Sequence, residues 1–560
     1  MKKLRWQILV VLITLILVGV LLLSQQPVVQ TILTQPTSGG VYTEALIGSM
    51  SRFNPLLDRN NAPDRDVDKL LFSGLIRFDS RGMPLPDLAE AWGTSQDGTI
   101  YNFSIRPNAL WHDGEPVTTD DVIFTIDLIK SSVSYYPQDV KALWDEVEIR
   151  RMDDKTMQFR LPEPFVPFLD YLTFGVLPKH ILGTIPADQI LNADFNLHPV
   201  GSGPYQFDHL LVENGQITGT VLTLAPQYYG QKPYIPQVVF RYYPSAQAAL
   251  DAYKQGEVMG ISQITTDILD EALLEEDLSL YTSRRPELSL IFFNLNNGEV
   301  AFFQDPAVRK ALLTGLNRQR MINDLLRGQA ILADGPILPG SWAYYDGVEH
   351  IAYDPDAAIS ILRKEGYVIP PEGGDVRAKD GHFLTFTLLH PDDELHTALA
   401  EHIRQDWEKL GVRVVLEAKP YEQLIYDNLE RREYQAALVD LNLSYTPDPD
   451  PYPFWHQAEA TGGQNYAQWD NRPASEYLER ARITADINER ARLYRNFQVI
   501  FAQELPALPL YFPTYTFAVD AQVYGVQAAP LYDTSDRLNN IASWHLLTRR
   551  TIEATPTPSP

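Results

Sequence analysis

One long apolar segment near the start of the chain decides where the rest of it folds. Lys2, Lys3 and Arg5 precede an uncharged run rich in Ile, Leu and Val over residues 8–23, and no second long apolar segment occurs past residue 40. The run lies between a signal-peptide core and a minimal membrane span, and either one exports the remainder of the chain. Because no small-x-small cleavage site comes after it, we favour an uncleaved anchor over a removed signal. The remainder is then extracytoplasmic, tethered to the outer face of the cytoplasmic membrane.

The composition narrows the chemistry that the exported part can perform. The 560 residues carry a formal charge of −26, with 46 basic against 72 acidic side chains. This excess of negative charge repels phosphate backbones, so no nucleic-acid partner is expected. The chain has no cysteine, which excludes disulfides, thiolate catalysis, thiolate metal sites and a lipid-modified cysteine anchor.

Helix starts and strand periods predict a mixed α/β protein. Asp305-Pro306 and Asp354-Pro355 fit helix N-termini, because aspartate caps free amide groups and proline needs no donor at the first helical position. Residues 383–416 have the pattern of a strand, a helix and a strand, a unit that places the two strands in parallel. The pattern favours mixed sheets with helices packed on them, in more than one lobe.

A dense series of motifs points to one family. Residues 86–92 read P-x-L-A-E-x-W, residues 111–116 read W-x-D-G-x-P, residues 305–312 read D-P-x-V-R-x-A-L, and residues 448–450 read D-P-D. In this order they resemble the extracytoplasmic solute-binding proteins of family 5, the oligopeptide, dipeptide and nickel receptors of ABC importers. The resemblance covers about residues 41–548.

The resemblance implies a two-lobe, periplasmic-binding-protein-like clam with an extra inserted domain. A ligand between the lobes is buried when they close. The expected divisions are an anchor or signal segment with a spacer at 1–40, a discontinuous lobe I at 41–55, 201–285 and 508–548, an inserted domain II at 56–200, lobe III at 286–507, and a disordered tail at 549–560.

The function that the resemblance implies is the capture of a peptide or similarly sized solute. The receptor is expected to be a monomer without a cofactor, and to deliver its ligand to the transmembrane subunits of an ABC permease driven by a cytoplasmic ATPase. It is not expected to be an enzyme. Two alternatives stay open: a ligand sensor with the same fold, and a secreted carbohydrate-active enzyme, which would need two carboxylates facing each other across a cleft.

Other catalytic and metal motifs receive little support. The sequence contains neither a G-x-x-x-x-G-K phosphate loop nor a G-x-S-x-G nucleophile turn. His390 and His396 lie at a strand-to-helix junction where Asp392 or Asp393 is the expected helix cap, so we interpret this segment as a solvated loop rather than a metal site.

One loop of the distal lobe is the main candidate for the binding site. In peptide-binding members of the family, an aspartate in this loop holds the α-amino group of the ligand. The equivalent position here is occupied by Ser444 or Tyr445, so the carboxylate is missing there. Either Asp448 has taken the role or the ligand presents no free amine; alternatively, Asp448 and Asp450 only cap Asp-Pro turns.

Aromatic side chains around this loop supply further candidates. Each ring taken alone is more often part of a core, but several on one loop favour at least one that faces the cleft. Aromatic planes suit apolar side chains, sugar faces and cations alike. The first segment of the exported part is also expected to contribute contacts. The predicted ligand-binding residues are Ser444, Tyr445, Asp448, Tyr452, Trp455, Trp469, Phe53 and Asn54, with no metal ligand among them.

Overall fold

The computed structural model describes residues 2–24, 29–444 and 447–555. The strands of this part of the chain are, in order, β1 (Val29–Thr37), β2 (Val41–Ile47), β3 (Ile76–Phe78), β4 (Pro84–Pro86), β5 (Ala89–Thr94), β6 (Ile100–Ile105), β7 (Glu148–Arg151), β8 (Thr156–Arg160), β9 (Tyr205–Glu213), β10 (Gln216–Leu224), β11 (Gln237–Tyr243), β12 (Gly260–Ile261), β13 (Leu278–Arg284), β14 (Glu287–Phe293), β15 (Ala330–Leu332), β16 (Ala378–Lys379), β17 (His382–Phe383), β18 (Thr385–Pro391), β19 (Arg413–Lys419), β20 (Ala436–Asn442), β21 (Ala507–Asp520) and β22 (Leu547–Thr555).

The helices lie between these strands and pack on the sheets. They are α1 (Lys2–Ser24), α2 (Ala62–Leu71), α3 (Thr119–Lys130), α4 (Gln138–Glu146), α5 (Lys179–Leu182), α6 (Ala246–Lys254), α7 (Leu269–Ala272), α8 (Pro306–Thr314), α9 (Arg318–Leu326), α10 (Pro355–Lys364), α11 (Glu394–Lys409), α12 (Tyr421–Gln423), α13 (Tyr452–Trp455), α14 (Arg472–Ile483) and α15 (Ile487–Glu504). Short 3-10 turns occur at Val166–Leu172, Ala187–Asn192, Asp194–Asn196, Gly298–Gln304, Gln457–Ala460, Thr534–Leu538 and Ile541–Ser543, and a π-helical turn at Leu424–Leu429.

One long sheet forms the centre of the molecule. Its strand order is β19-β18-β20-β14-β21-β12-β2-β11-β10-β9, with β13 and β15 also paired to β21. Strand β21 pairs with β14 through residues 507–511 and with β13 through residues 514–520. A single strand therefore runs through both halves of the sheet. A separate sheet, β5-β6-β8-β7, lies in the segment expected to be the inserted domain.

Strand β14 shows how the sheet separates two cores in the distal half. Ile291 and Phe293 are buried with the helices on one face, whereas Leu290 and Phe292 are buried on the other, as the two-residue period of a strand requires. The rest of the chain has a large core that joins residues 42–240 to residues 515–544. The mixed α/β class predicted from the sequence is confirmed.

The expected domain divisions can be compared with these elements. The division at 285/286 lies between β13 and β14, and the division at 507/508 lies at the start of β21. The segments expected as lobe I and inserted domain II share one continuous core. The domain limits remain a prediction.

Local signals in the sequence identify several elements correctly. Asp305 and Asp354 accept hydrogen bonds from the first turns of α8 and α10 as their N-caps. Strands β18 and β19 are parallel and are joined by α11, as predicted. Asp393 is the N-cap of α11, and it also contacts His396, whose other ring nitrogen lies 3.1 Å from Asp440.

The two ends of the chain differ from the expected spacer and disordered tail. Strand β1 pairs with β22 in antiparallel register, from Val29 opposite Thr555 to Thr37 opposite Leu547. Strand β1 contains five β-branched residues and strand β22 contains four, and such residues favour strands. Helix α1 covers the apolar run, and its large side chains from Trp6 to Val20 are exposed. Within the described part of the chain, no helix is both long and apolar enough to cross a membrane.

Candidate functional site

A cavity of about 480 Å³ lies between the two halves of the molecule. One wall comes from residues within 55–59, 136–140 and 170–174, and the other from residues within 336–341 and 441–464; Tyr532 completes the lining. Its volume falls within the range of small-molecule sites in proteins. The loop that the sequence singles out therefore forms part of a cavity wall.

The two walls touch beside the cavity. The Asp448 N–H donates to Asp170 Oδ2 at 3.0 Å, and the Trp342 N–H donates to the Arg81 carbonyl at 3.2 Å. These contacts bridge segments far apart in sequence.

The distal wall contains a buried ion-pair network. Asp448 is 8% exposed, and its carboxylate receives two hydrogen bonds from the Arg490 guanidinium, Nη1 to Oδ2 at 2.5 Å and Nη2 to Oδ1 at 2.9 Å. Asp450 Oδ2 accepts from Arg482 Nε at 2.8 Å. Such planar two-point pairing is the strong geometry for arginine and carboxylate. The structure thus gives the Asp448 carboxylate a protein partner and leaves it less available to a ligand amine.

Burial strongly shifts the protonation equilibria of this network. Burial, together with the nearby charge of Asp448, raises the pKa of Asp170 well above its usual range. Burial also raises the pKa of Asp450, although Arg482 opposes this shift. Burial alone would lower the pKa of Arg490, but the Asp448 carboxylate raises it above its ordinary value. Arg490 therefore stays charged, whereas ionisation of Asp170 is strongly disfavoured.

The predicted site residues of the distal loop lie in different places. Ser444, Asp448 and Trp455 line the cavity. Tyr445 lies outside the described residues. Tyr452 stacks on His456, with ring centroids 4.0 Å apart, and is not among the lining residues.

The other predicted residues lie behind the cavity walls. Trp469 is 3% exposed and packs on Phe497 and Phe501. Phe53 and Asn54 are fully buried; the side chain of Asn54 donates to Asn196 Oδ1 at 3.0 Å and accepts from a backbone N–H at 3.1 Å. None of these three residues lines the cavity.

Most of the lining residues were missed by reasoning from the sequence, among them Asp170, Ser341 and Tyr532. Each of these three has a polar side chain. For Asp170 a signal was present, since a single aspartate interrupts the apolar stretch Phe168-Leu169-Asp170-Tyr171-Leu172. Ser341 and Tyr532 carry no comparable signal, because serine and tyrosine are common in loops.

Comparison with known proteins places this geometry in context. The family model for bacterial extracellular solute-binding proteins, family 5 middle, matches residues 84–464. The chain is 26% identical over 519 residues to the oligopeptide-binding protein AppA of Bacillus subtilis, covering 91% of this chain and 92% of the relative. It is also 26% identical over 507 residues to the dipeptide-binding protein of Escherichia coli, covering 86% and 91%.

A solved structure supports the same fold. HbpA2 from Haemophilus parasuis superposes with a TM-score of 0.77 at 20% identity, covering 89% of this chain and 99% of that protein. At this identity the likeness concerns the fold alone, and it agrees with the two-lobe form expected from the sequence.

Proposed function

Because the chain belongs to the bacterial extracellular solute-binding proteins of family 5, we propose that it captures a peptide or similarly sized solute and delivers it to the transmembrane subunits of an ABC importer. The observation that carries this proposal is the cavity of about 480 Å³ that lies between the two halves of the molecule. Its volume lies in the range of about 300–1,000 Å³ that is typical of small-molecule sites. A ligand that touches both walls favours the closed form, because it gains contacts only there.

The proposed receptor binds its ligand without changing it. Two acidic residues of the distal loop, Asp448 and Asp450, are held by Arg490 and Arg482, an arrangement that suits a rigid wall better than proton transfer. Both relatives are named as binding proteins. In this proposal the receptor works as a monomer, with lobes divided as expected from the sequence.

The proposed tether is the N-terminal segment. Three basic residues and the apolar run over 8–23 are the pattern of an exported protein that keeps its basic end in the cytoplasm. The chain has no cysteine to carry a lipid. Recovery of the native protein with a start near residue 25–40 would contradict the tether and leave the binding proposal intact.

The test of the binding proposal is mass spectrometry of ligand co-purified with the protein, followed by scattering. We expect a solute of peptide size, recovered chemically intact, and a smaller radius of gyration when that solute is returned to the emptied protein. A radius that stays constant at saturation would refute capture by closure, and a cleaved or isomerised solute would indicate an enzyme.

A further inference from the structure

Two of the carboxyl groups on the cavity wall already have a cation. Asp448 pairs with Arg490, and Asp450 pairs with Arg482. Asp170, which is 6% exposed, receives only the backbone N–H of Asp448 on Oδ2. Within the described residues, Asp170 has no ion pair and Oδ1 has no hydrogen bond. A buried carboxylate without a cation is unfavourable, so Asp170 favours its neutral form in the empty cavity, and a cation placed beside it would favour the charged form.

Two further polar groups on the same cavity lack a partner. The Ser341 hydroxyl and the Tyr532 hydroxyl are buried and make no hydrogen bond in the described part of the chain. Each residue is 9% exposed and lines the cavity. Buried polar groups are normally satisfied by the protein, by ordered water or by a ligand, so these two hydroxyls beside the cavity are available to pair with a bound molecule.

The other carboxylates on the cavity wall differ from Asp170. Asp139 is exposed, so water solvates it whether or not a ligand is present. Asp58 is half-buried, and its backbone carbonyl accepts from Arg65 at 3.4 Å, which places a cation close to it. Asp170 is therefore the wall carboxylate for which a ligand charge would matter most.

From these observations we infer that Asp170 receives a cationic group of the ligand, an ammonium or a guanidinium, with Ser341 and Tyr532 offering hydroxyl groups in the same cavity. This inference rests on the proposed function and specifies the ligand chemistry of that site. It also accounts for the missing carboxylate at Ser444 and Tyr445: the charge is supplied from the opposite wall, on the segment Val166–Leu172. When the lobes close on such a ligand, Asp170 gains a charged partner as it loses contact with water.

The test compares three probes by calorimetry on the full chain: trialanine, N-acetyl-trialanine and putrescine. The first two differ in one ammonium group, and putrescine carries ammonium groups without a peptide. The informative variant is Asp170→Asn, which keeps an oxygen acceptor for the Asp448 N–H but removes the charge. The control is Asp194→Asn, which removes a charge from a side chain that is 89% exposed and does not line the cavity.

We expect the wild-type protein to bind trialanine about 30-fold more tightly than the acetylated probe, the effect of one charged hydrogen bond. Asp170→Asn should weaken trialanine binding by a similar factor and abolish the difference between the two probes, whereas Asp194→Asn should preserve that difference. Equal binding of both peptides by the wild type, or unchanged binding by Asp170→Asn, would overturn the inference and leave the receptor function standing.

The remaining outcomes separate the two proposals. If putrescine alone binds, and Asp170→Asn weakens it, the cation anchor is supported and the peptide part of the proposed function fails. If none of the three probes binds the wild-type protein, the inference that Asp170 receives a cationic group is refuted. A co-purified ligand without a positive charge would then still support the proposed function of solute capture.

Discussion

Replacement of Arg490 by methionine tests whether the distal wall depends on its buried ion pair. The guanidinium of Arg490 is 2% exposed and donates to Asp448, to the Ala481 carbonyl at 2.8 Å and to Tyr494 at 3.1 Å. Methionine keeps the unbranched stem but leaves Asp448 buried without a cation. Removing one partner of a buried pair costs about 3–5 kcal/mol.

The expected loss is large enough to see in a melting curve. For an unfolding unit of about 200 residues, this loss corresponds to a fall of roughly 10 °C in the melting temperature. The assay is thermal unfolding followed by tryptophan fluorescence and circular dichroism. The matched control is Arg492→Met on the same helix, whose side chain is 61% exposed and whose removal should leave the transition unchanged.

A second substitution identifies the cause. Adding Asp448→Asn to Arg490→Met removes the uncompensated charge, and we expect it to restore at least half of the lost stability. The reasoning from a buried unpaired charge is wrong if Arg490→Met has the same melting temperature as the Arg492→Met control. It is also wrong if the double variant is no more stable than Arg490→Met.

Two further predictions concern closure of the cleft. Because burial and the charge of Asp448 raise the pKa of Asp170 above its ordinary value of 3.8, an opening that exposes Asp170 to water should release its proton. Raising the pH from about 4 to 7 should therefore favour the open form, by up to about 1.4 kcal/mol per pH unit. Small-angle scattering should show a radius of gyration that increases with pH, and Asp170→Asn should remove most of this increase. The same increase in that variant would contradict the assignment of the proton to Asp170. Gly82 has φ +81°, and a Cβ there would lie 2.7 Å from the Pro447 carbonyl and 2.8 Å from the Tyr532 hydroxyl. Gly82→Ala should therefore weaken ligand binding. The control is Gly114→Ala, at φ +94° with open space around it, which should show only the backbone strain. If the two variants bind the ligand with equal affinity, the contact of Gly82 with Pro447 and Tyr532 does not form on closure.

Signals that are local in the sequence predicted much of the fold. The caps at Asp305 and Asp354 and the β18-α11-β19 unit depend on residues a few positions apart, and all are present. Strand β21 could be recognised as an apolar segment, but its two sets of partners could not, because those partners lie far earlier in the chain, at residues 278–293. Pairing over such distances leaves no periodic trace.

The candidate site, like the fold, could be predicted from the sequence only in part. The family motif directed attention to the loop that contains Asp448, and the loop does lie on the cavity wall. The role of Asp448 in the site depends on its contacts with Arg490, 42 positions later, and with Asp170, 278 positions earlier. Burial of a charge is a property of the folded assembly, so the sequence alone did not distinguish a paired carboxylate from a free one.

Strand β21 also determines when the protein can finish folding. Residues 507–520 pair with strands of both halves, so neither half of the long sheet is complete while those residues are still being synthesised or exported. Until then, β14, β12 and β13 expose edges that promote aggregation. A chain that crosses a membrane from its N-terminus must therefore emerge almost entirely before it can fold, and a truncation before residue 507 would disrupt the sheets of both halves together.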